Sequence, residues 1–204
     1  MKEKNRSVLK KAYTEIREKS LPDFDYYLML ILSSIICFLG FKMNSAAVII
    51  GAMVISPLIY SIIGIATSLF FFDFKQLLKE IFSLLLEISL ILFIIFIFTK
   101  LFEVNISTEI TDRIDASYLD YFFIAFFSGI AGSFSLFWPK IKQSLVGIAI
   151  SVALIPPIVL CGIGLAQLDT AIIVTSANIV LLNLLGIGLG SLLLLIFLKF
   201  KKSF

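Results

Sequence analysis

The sequence predicts an all-α integral membrane protein with six transmembrane helices. Three observations carry this: composition, six long apolar runs, and the placement of Lys and Arg. Of 204 residues, 60% are hydrophobic and 15% charged, against about 45–50% and about 25% in soluble domains. A mean hydropathy of +1.08 and 21 Phe exceed what one globular core of this length hides, so the expected solvent is lipid. The length bounds one membrane domain rather than two soluble ones.

The first 24 residues read as a cytoplasmic amphipathic segment. Val8, Leu9, Ala12, Tyr13 and Ile16 have helical spacing, with Lys10, Lys11, Glu15, Arg17 and Glu18 on the other side. A helix on the membrane surface or a solvated tail both fit, and Leu21-Pro22 ends it. No small-residue cleavage site follows the polar lead, so it does not read as a cleaved signal.

Residues 25–204 form the membrane domain. Its apolar runs are Asp25–Phe41, Ala46–Phe72, Leu77–Phe98, Tyr118–Trp138, Ser144–Leu168 and Ala171–Lys199. A span needs about 20 residues; the second and sixth runs are longer, which predicts tilt or interruption. With the N-terminus cytoplasmic, fourteen basic residues fall on inside segments and three, Lys42, Lys100 and Arg113, outside. The positive-inside rule then places both termini in the cytoplasm. The outside loop Lys100–Ser117 carries Glu103, Glu109, Asp112 and Asp115 and reads as solvated.

The halves resemble each other. At an offset of 95, Asp25, Tyr26, Ser33 and Ile35 fall on Asp120, Tyr121, Ser128 and Ile130. At 100, Ile50, Ile55, Pro57, Gly64 and Ala66 fall on Ile150, Ile155, Pro157, Gly164 and Ala166; at 96, Glu87 falls on Asn183. Repeat one covers about 25–100 and repeat two about 118–204. Three spans each, an odd number, makes the repeats inverted.

The residues that could carry chemistry lie at the interruptions and at the polar positions within spans. Pro57 is expected mid-way along the second span, and Pro156-Pro157 mid-way along the fifth. A helix-interior proline removes a donor and clashes with the carbonyl four residues earlier, here near Met53, Val152 and Ala153. Ser56, Ser61 and Ser151 lie beside these breaks. Paired interruptions in corresponding spans point to a transport site, or equally to structural kinks. Glu87 is the only acid deep within a span, and Glu80, Ser83 and Glu87 share one helical face. A mid-membrane carboxyl is costly and suggests function, a proton- or cation-coupled step, or else a buried structural hydrogen bond. Asn178 and Asn183 are polar positions of the sixth span; Asn183 could bond Glu87 or join helices. Ser176, Asn183, Gly186 and Gly190 fall on one stripe, and the small-xxx-small spacing there and at Ser128, Gly129, Gly132 and Ser133 predicts close helix packing.

Histidine is absent, which excludes His general-base dyads and His-ligated zinc. Cys37 and Cys161 lie inside apolar runs and read as small apolar residues rather than a disulfide. No metal, cofactor or nucleic-acid partner is expected, and no enzymatic activity. The expected partners are the bilayer, a further copy of the chain, and an unidentified ion or small solute.

The segments GAMVISPLIYSIIGI (Gly51–Ile65), SVALIPPIVLCGIGLA (Ser151–Ala166) and LLNLLGI (Leu181–Ile187) resemble the family called domain of unknown function 389. With the repeat order, the likeness covers about Asp25–Leu198. It implies a multi-span membrane protein without an assigned activity, and no catalytic residues carry over. Many relatives look as if they carry a further soluble domain. Two functions remain: a small inverted-repeat transporter or channel for an ion or small solute, or a non-transporting scaffold, assembly or sensor subunit.

Overall fold

The computed structural model describes Thr14, Arg17, Ser20 and residues 22–102, 104, 117–137 and 154–201. Among them are seven helices: α1 (Phe24–Lys42), α2 (Ala46–Ile55), α3 (Leu58–Phe70), α4 (Phe74–Leu101), α5 (Tyr118–Phe137), α6 (Ile155–Gln167) and α7 (Thr170–Lys201). The expected all-α class holds.

Short polar side chains start the helices. Asp23 accepts the Tyr26 amide at 2.9 Å to open α1, and Asp73 accepts the Gln76 amide at 3.1 Å to open α4. Asp169 accepts the amides of Ala171 and Ile172 at the start of α7. Each satisfies a donor that the first turn leaves without an intrahelical partner. The connections are tight: Asn44, Phe72 and Leu168 adopt left-handed backbone, with φ of 50°, 57° and 60°.

Among the described residues, three helices are long and apolar enough to cross a membrane: Phe24–Lys42, Phe74–Leu101 and the first 30 residues of α7. The pair α2–α3 adds a fourth if it is one broken span, bent by 47°. This agrees with a multi-pass membrane protein. The bend answers the interruption expected in Ala46–Phe72. Pro57 follows directly on Ser56, which is extended (φ −67°, ψ 129°), so helix α2 stops short of the residue before proline, where αR backbone is disfavoured.

Pro156 and Pro157 stand in the first turn of α6, so a helix begins at them within the fifth apolar run, as α3 begins directly after Pro57. At that position the missing N–H costs nothing and the fixed φ suits the helix. The preceding residues 144–153, including Ser151, Val152 and Ala153, lie outside the described residues.

Helix α6 is the centre of the bundle: ten of its thirteen residues are buried, and it packs on α4, α7, α1 and α2. Helix α2 is its opposite, with Ala52 its only buried residue. The broadest contact joins α5 to α7. A Cβ on Gly186 would lie 2.7 Å from Ala125 Cβ and 2.8 Å from the Phe122 carbonyl oxygen. One on Gly190 would collide with the Phe126 carbonyl, and one on Gly129 with the Ile187 carbonyl. Ser191 donates across this seam to the Gly129 carbonyl at 3.3 Å. The small residues thus admit backbone-to-backbone approach, as their spacing predicts. Outward faces stay apolar: Phe82, Phe93, Phe127 and Leu85 are all more than half exposed.

Candidate functional site

Glu87 is the fourteenth residue of α4, about 20 Å along it by helical rise. Its side chain is fully buried. Ser83, one turn earlier on the same face, donates to Oε1 at 2.9 Å. Tyr26, from the first turn of α1, donates to Oε2 at 2.9 Å. Ser61, from the first turn of α3, lies 3.0 Å from both carboxyl oxygens. Tyr26 Oη and Ser61 Oγ are themselves 2.7 Å apart. Three helices therefore meet on one carboxyl, and the α3 partner comes from the turn that directly follows the Ser56–Pro57 break.

The hydrogens in this cluster can be counted. Treating the forked Ser61 approach as one, there are four close contacts: Ser83 to Glu87, Tyr26 to Glu87, Ser61 to Glu87, and Tyr26 to Ser61. The three hydroxyls bring three hydrogens, and an ionised carboxylate only accepts. One more proton, on the carboxyl, closes the ring so that every short contact holds a hydrogen. The arrangement has room for one proton on the carboxyl, shared among three hydroxyls.

A second carboxyl follows the same face. Glu80, also buried, accepts from Ser20 Oγ at 2.9 Å and from Gln76 Nε2 at 3.1 Å. Ser20 thereby ties the N-terminal segment to the α3–α4 pair. The remaining residues singled out from the sequence are dispersed. Ser56 and Pro57 are half-buried at the break, and Ser56 Oγ accepts the Leu58 amide at 3.4 Å. Pro156 and Pro157 are buried in α6. Asn183 is buried on α7, whereas Asn178 is exposed. Asn183 is not among the partners of Glu87. The reason is packing: α7 lies on α5, α6 and α3, while the Glu87 carboxyl is taken up by α1 and α3. Among the described residues no group of three or more His, Cys, Asp or Glu could hold a metal ion.

Two members of the sites escaped sequence reasoning as functional residues, Tyr26 and Ser20. Tyr26 had one readable signal, a polar-tipped ring inside an apolar span, which when buried needs a partner for its hydroxyl.

The model of the family "Domain of unknown function (DUF389)" matches residues 53–189. The chain belongs to the DUF389 family. The matched stretch of this DUF389 chain holds Ser61, Ser83, Glu87 and Asn183; Tyr26 and Ser20 precede it. A similar chain is "Uncharacterized protein MJ0678" of Methanocaldococcus jannaschii, 31% identical over 170 residues, which cover 80% of this chain and 52% of the relative. The chain thus spans about half the length of the curated relative it matches. No solved structure matches it.

Proposed function

We propose that this DUF389 chain is a small transporter or channel for an ion or small solute, coupled to a proton or cation through Glu87. The observation that carries this reading is the Glu87 seat: a carboxyl enclosed by three hydroxyls, one proton short of a closed ring, attached directly to the second half of a broken helix. Gain or loss of that proton changes the bonding of Ser61, and through it the hold of α4 on α3.

The reading includes six spans in two inverted repeats, with both termini on the cytoplasmic side of a prokaryotic cell membrane. Helix bounds support the duplication. Helix α1 moved by 95 runs 119–137 beside α5 at Tyr118–Phe137, and α4 moved by 96 runs 170–197 beside α7 at Thr170–Lys201. At the offsets found in the sequence, Tyr26, Ser61 and Glu87 fall on Tyr121, Cys161 and Asn183. The second half would then hold an uncharged counterpart of the carboxyl seat, which leaves the coupling charge to the first half. A homo-oligomer fits a unit of three spans per repeat.

The test is flux in liposomes reconstituted with the full chain, screened over ions and small solutes with and without a pH gradient. Glu87→Gln is expected to lower coupled flux by about tenfold or more, as for an acid on a proton path. Pro57→Ala is expected to lower it less, by restoring helix across the break. Wild-type flux in both variants would remove the roles given to these residues.

A second reading, a non-transporting scaffold, assembly or sensor subunit, is favoured by one observation: α2 leaves an apolar surface open, with Ile50, Val54 and Ile55 exposed. In that case Glu87→Gln leaves partner association, read by cross-linking in membranes, unchanged, and no flux is found.

A further inference from the structure

Within the Glu87 seat, one contact depends on the carboxyl proton more than the others do. When the carboxyl is ionised, the hydrogens of Ser83, Tyr26 and Ser61 all turn to it, because a hydrogen bond to a charged acceptor is about twice as strong as one between neutral groups. All three hydroxyls are within 3.0 Å of a carboxyl oxygen. Tyr26 Oη and Ser61 Oγ then face each other at 2.7 Å with no hydrogen between them, and two oxygen lone pairs at that separation repel. When the carboxyl is protonated, its own hydrogen goes to Ser61 Oγ. The serine hydrogen is then free to turn to Tyr26 Oη, and the same contact becomes a hydrogen bond.

The helices give this contact weight. Helix α1 packs on α2, α4 and α6, and α3 packs on α4, α5 and α7. Tyr26 and Ser61 therefore join two helices that do not rest broadly on each other. Tyr26 stands in the first turn of α1, its amide held by Asp23 at 2.9 Å. Ser61 stands in the first turn of α3, directly after the break at Ser56–Pro57. Other buried or half-buried titratable groups on the helices around Glu87 are Tyr27 and Cys37 of α1, Tyr60 of α3, Glu80 of α4 and Cys161 of α6. None of these acts on the Glu87 carboxyl: among the described residues its surroundings are burial and the hydroxyls of Ser83, Tyr26 and Ser61.

We infer that Tyr26 is a positioning residue that senses the charge of Glu87: its contact with Ser61 is closed while the carboxyl holds a proton and opens when the proton leaves, releasing α1 from α3. This deepens the proton-coupled reading of the site and rests on it for the use of the movement.

The experiment compares stabilities on the two sides of the Glu87 titration. Infrared spectroscopy of the purified full chain in mixed micelles follows the carboxyl C=O band, identified by its loss in Glu87→Gln. Unfolding of the wild type, Tyr26→Phe, Ser61→Ala and the combined variant is then measured below and above that titration. Below it, the two substitutions are expected to be coupled by about twofold or more in the unfolding equilibrium, as for residues in one hydrogen-bond network. Above it, the coupling vanishes or changes sign. In the Glu87→Gln background, where the amide donates at every pH, the coupling stays constant. Where the combined variant folds too poorly to measure, the wild type answers: the ring C–O stretch of Tyr26, resolved by difference from Tyr26→Phe, shifts with the carboxyl titration and does not shift with pH in Glu87→Gln. A coupling equal on both sides of the titration, or a C–O stretch indifferent to it, overturns the inference. So does a carboxyl band that does not titrate over the range in which the chain stays folded. A switched contact without flux in liposomes leaves the inference standing and removes transport; proton-coupled flux without a switched contact does the reverse.

Discussion

Gly190→Val is expected to destabilise the protein by about 3 kcal/mol, at the upper end of what overpacking a tight contact costs. Gly188→Ala, two residues away, is expected to be neutral or to stabilise by up to about 1 kcal/mol, the helix-propensity gain of alanine over glycine. The difference lies in what each new Cβ meets. At Gly190 it collides with the Phe126 carbonyl and comes within 3.1 Å of the Ile130 amide nitrogen; at Gly188 nothing lies within 4 Å. Backbone atoms of α5 cannot rotate away as a side chain does, so α5 and α7 must separate along their length. Separation along such a seam matters more in lipid, where helix association depends on close packing rather than on hydrophobic burial. Unfolding of the two variants in mixed micelles, followed by circular dichroism, reads the contrast. Equal stability of the two would mean that the α5–α7 seam is looser than described.

Glu87→Leu is expected to cost about 2–4 kcal/mol, and Glu87→Gln clearly less. Leucine leaves the hydroxyls of Tyr26, Ser61 and Ser83 facing an apolar side chain. Hydrogen bonds between membrane helices are worth about 0.6 kcal/mol on average and about 1–2 at most; two such bonds, to Tyr26 and Ser61, disappear together with the bond to Ser83 within α4. Glutamine keeps the shape, accepts through its carbonyl and donates through its amide, so it replaces the carboxyl proton in the ring. A double-mutant cycle with Tyr26→Phe isolates the contact between α1 and α4: coupling of about 0.5 kcal/mol or more is expected for residues in one network. Indistinguishable stabilities for the leucine and glutamine variants would contradict the hydrogen count of the cluster. The stability order here and the flux effect of Glu87→Gln are separate measurements: one reads what holds the helices, the other what moves through them.

Much of this was written in local sequence. Glu80, Ser83 and Glu87 share a face because a helix repeats at i, i+3 and i+7, and all three are buried as that spacing predicts. The bend at Pro57 follows from the missing N–H and the constraint on Ser56. The small-residue spacing of α5 and α7 announced close packing of each, though not that each is the other's partner. The pairings across the bundle were not legible in the same way. Tyr26 reaches Glu87 over 61 positions and Ser20 reaches Glu80 over 60, and only the mutual rotation of three helices decides which polar side chains meet. Of the two roles open to Asn183, bonding Glu87 or joining helices, the first is absent from the partners of Glu87 for that reason. Proline has two uses in helices, to break one and to begin one; Pro156 and Pro157 begin α6, and the part of the run before Leu154 lies outside the described residues.

Helix α2 has a mechanical consequence. It is ten residues long, a rod of about 15 Å, fixed at one end to the two-residue joint Ser56–Pro57. The Tyr60 amide bonds back only as far as the Pro57 carbonyl, so α3 is anchored on its own side of that joint. Its other end is tied to α1 by the three-residue connection Met43–Ser45, where the Ser45 amide bonds the Gly40 carbonyl at 2.9 Å. A turn of α2 about the Ser56–Pro57 joint is therefore resisted by that connection and by packing along α1, where a Cβ on Gly40 would lie 3.0 Å from the Ile49 amide nitrogen. With Gly51 meeting nothing within 4 Å, the outer flank of the rod offers little opposition.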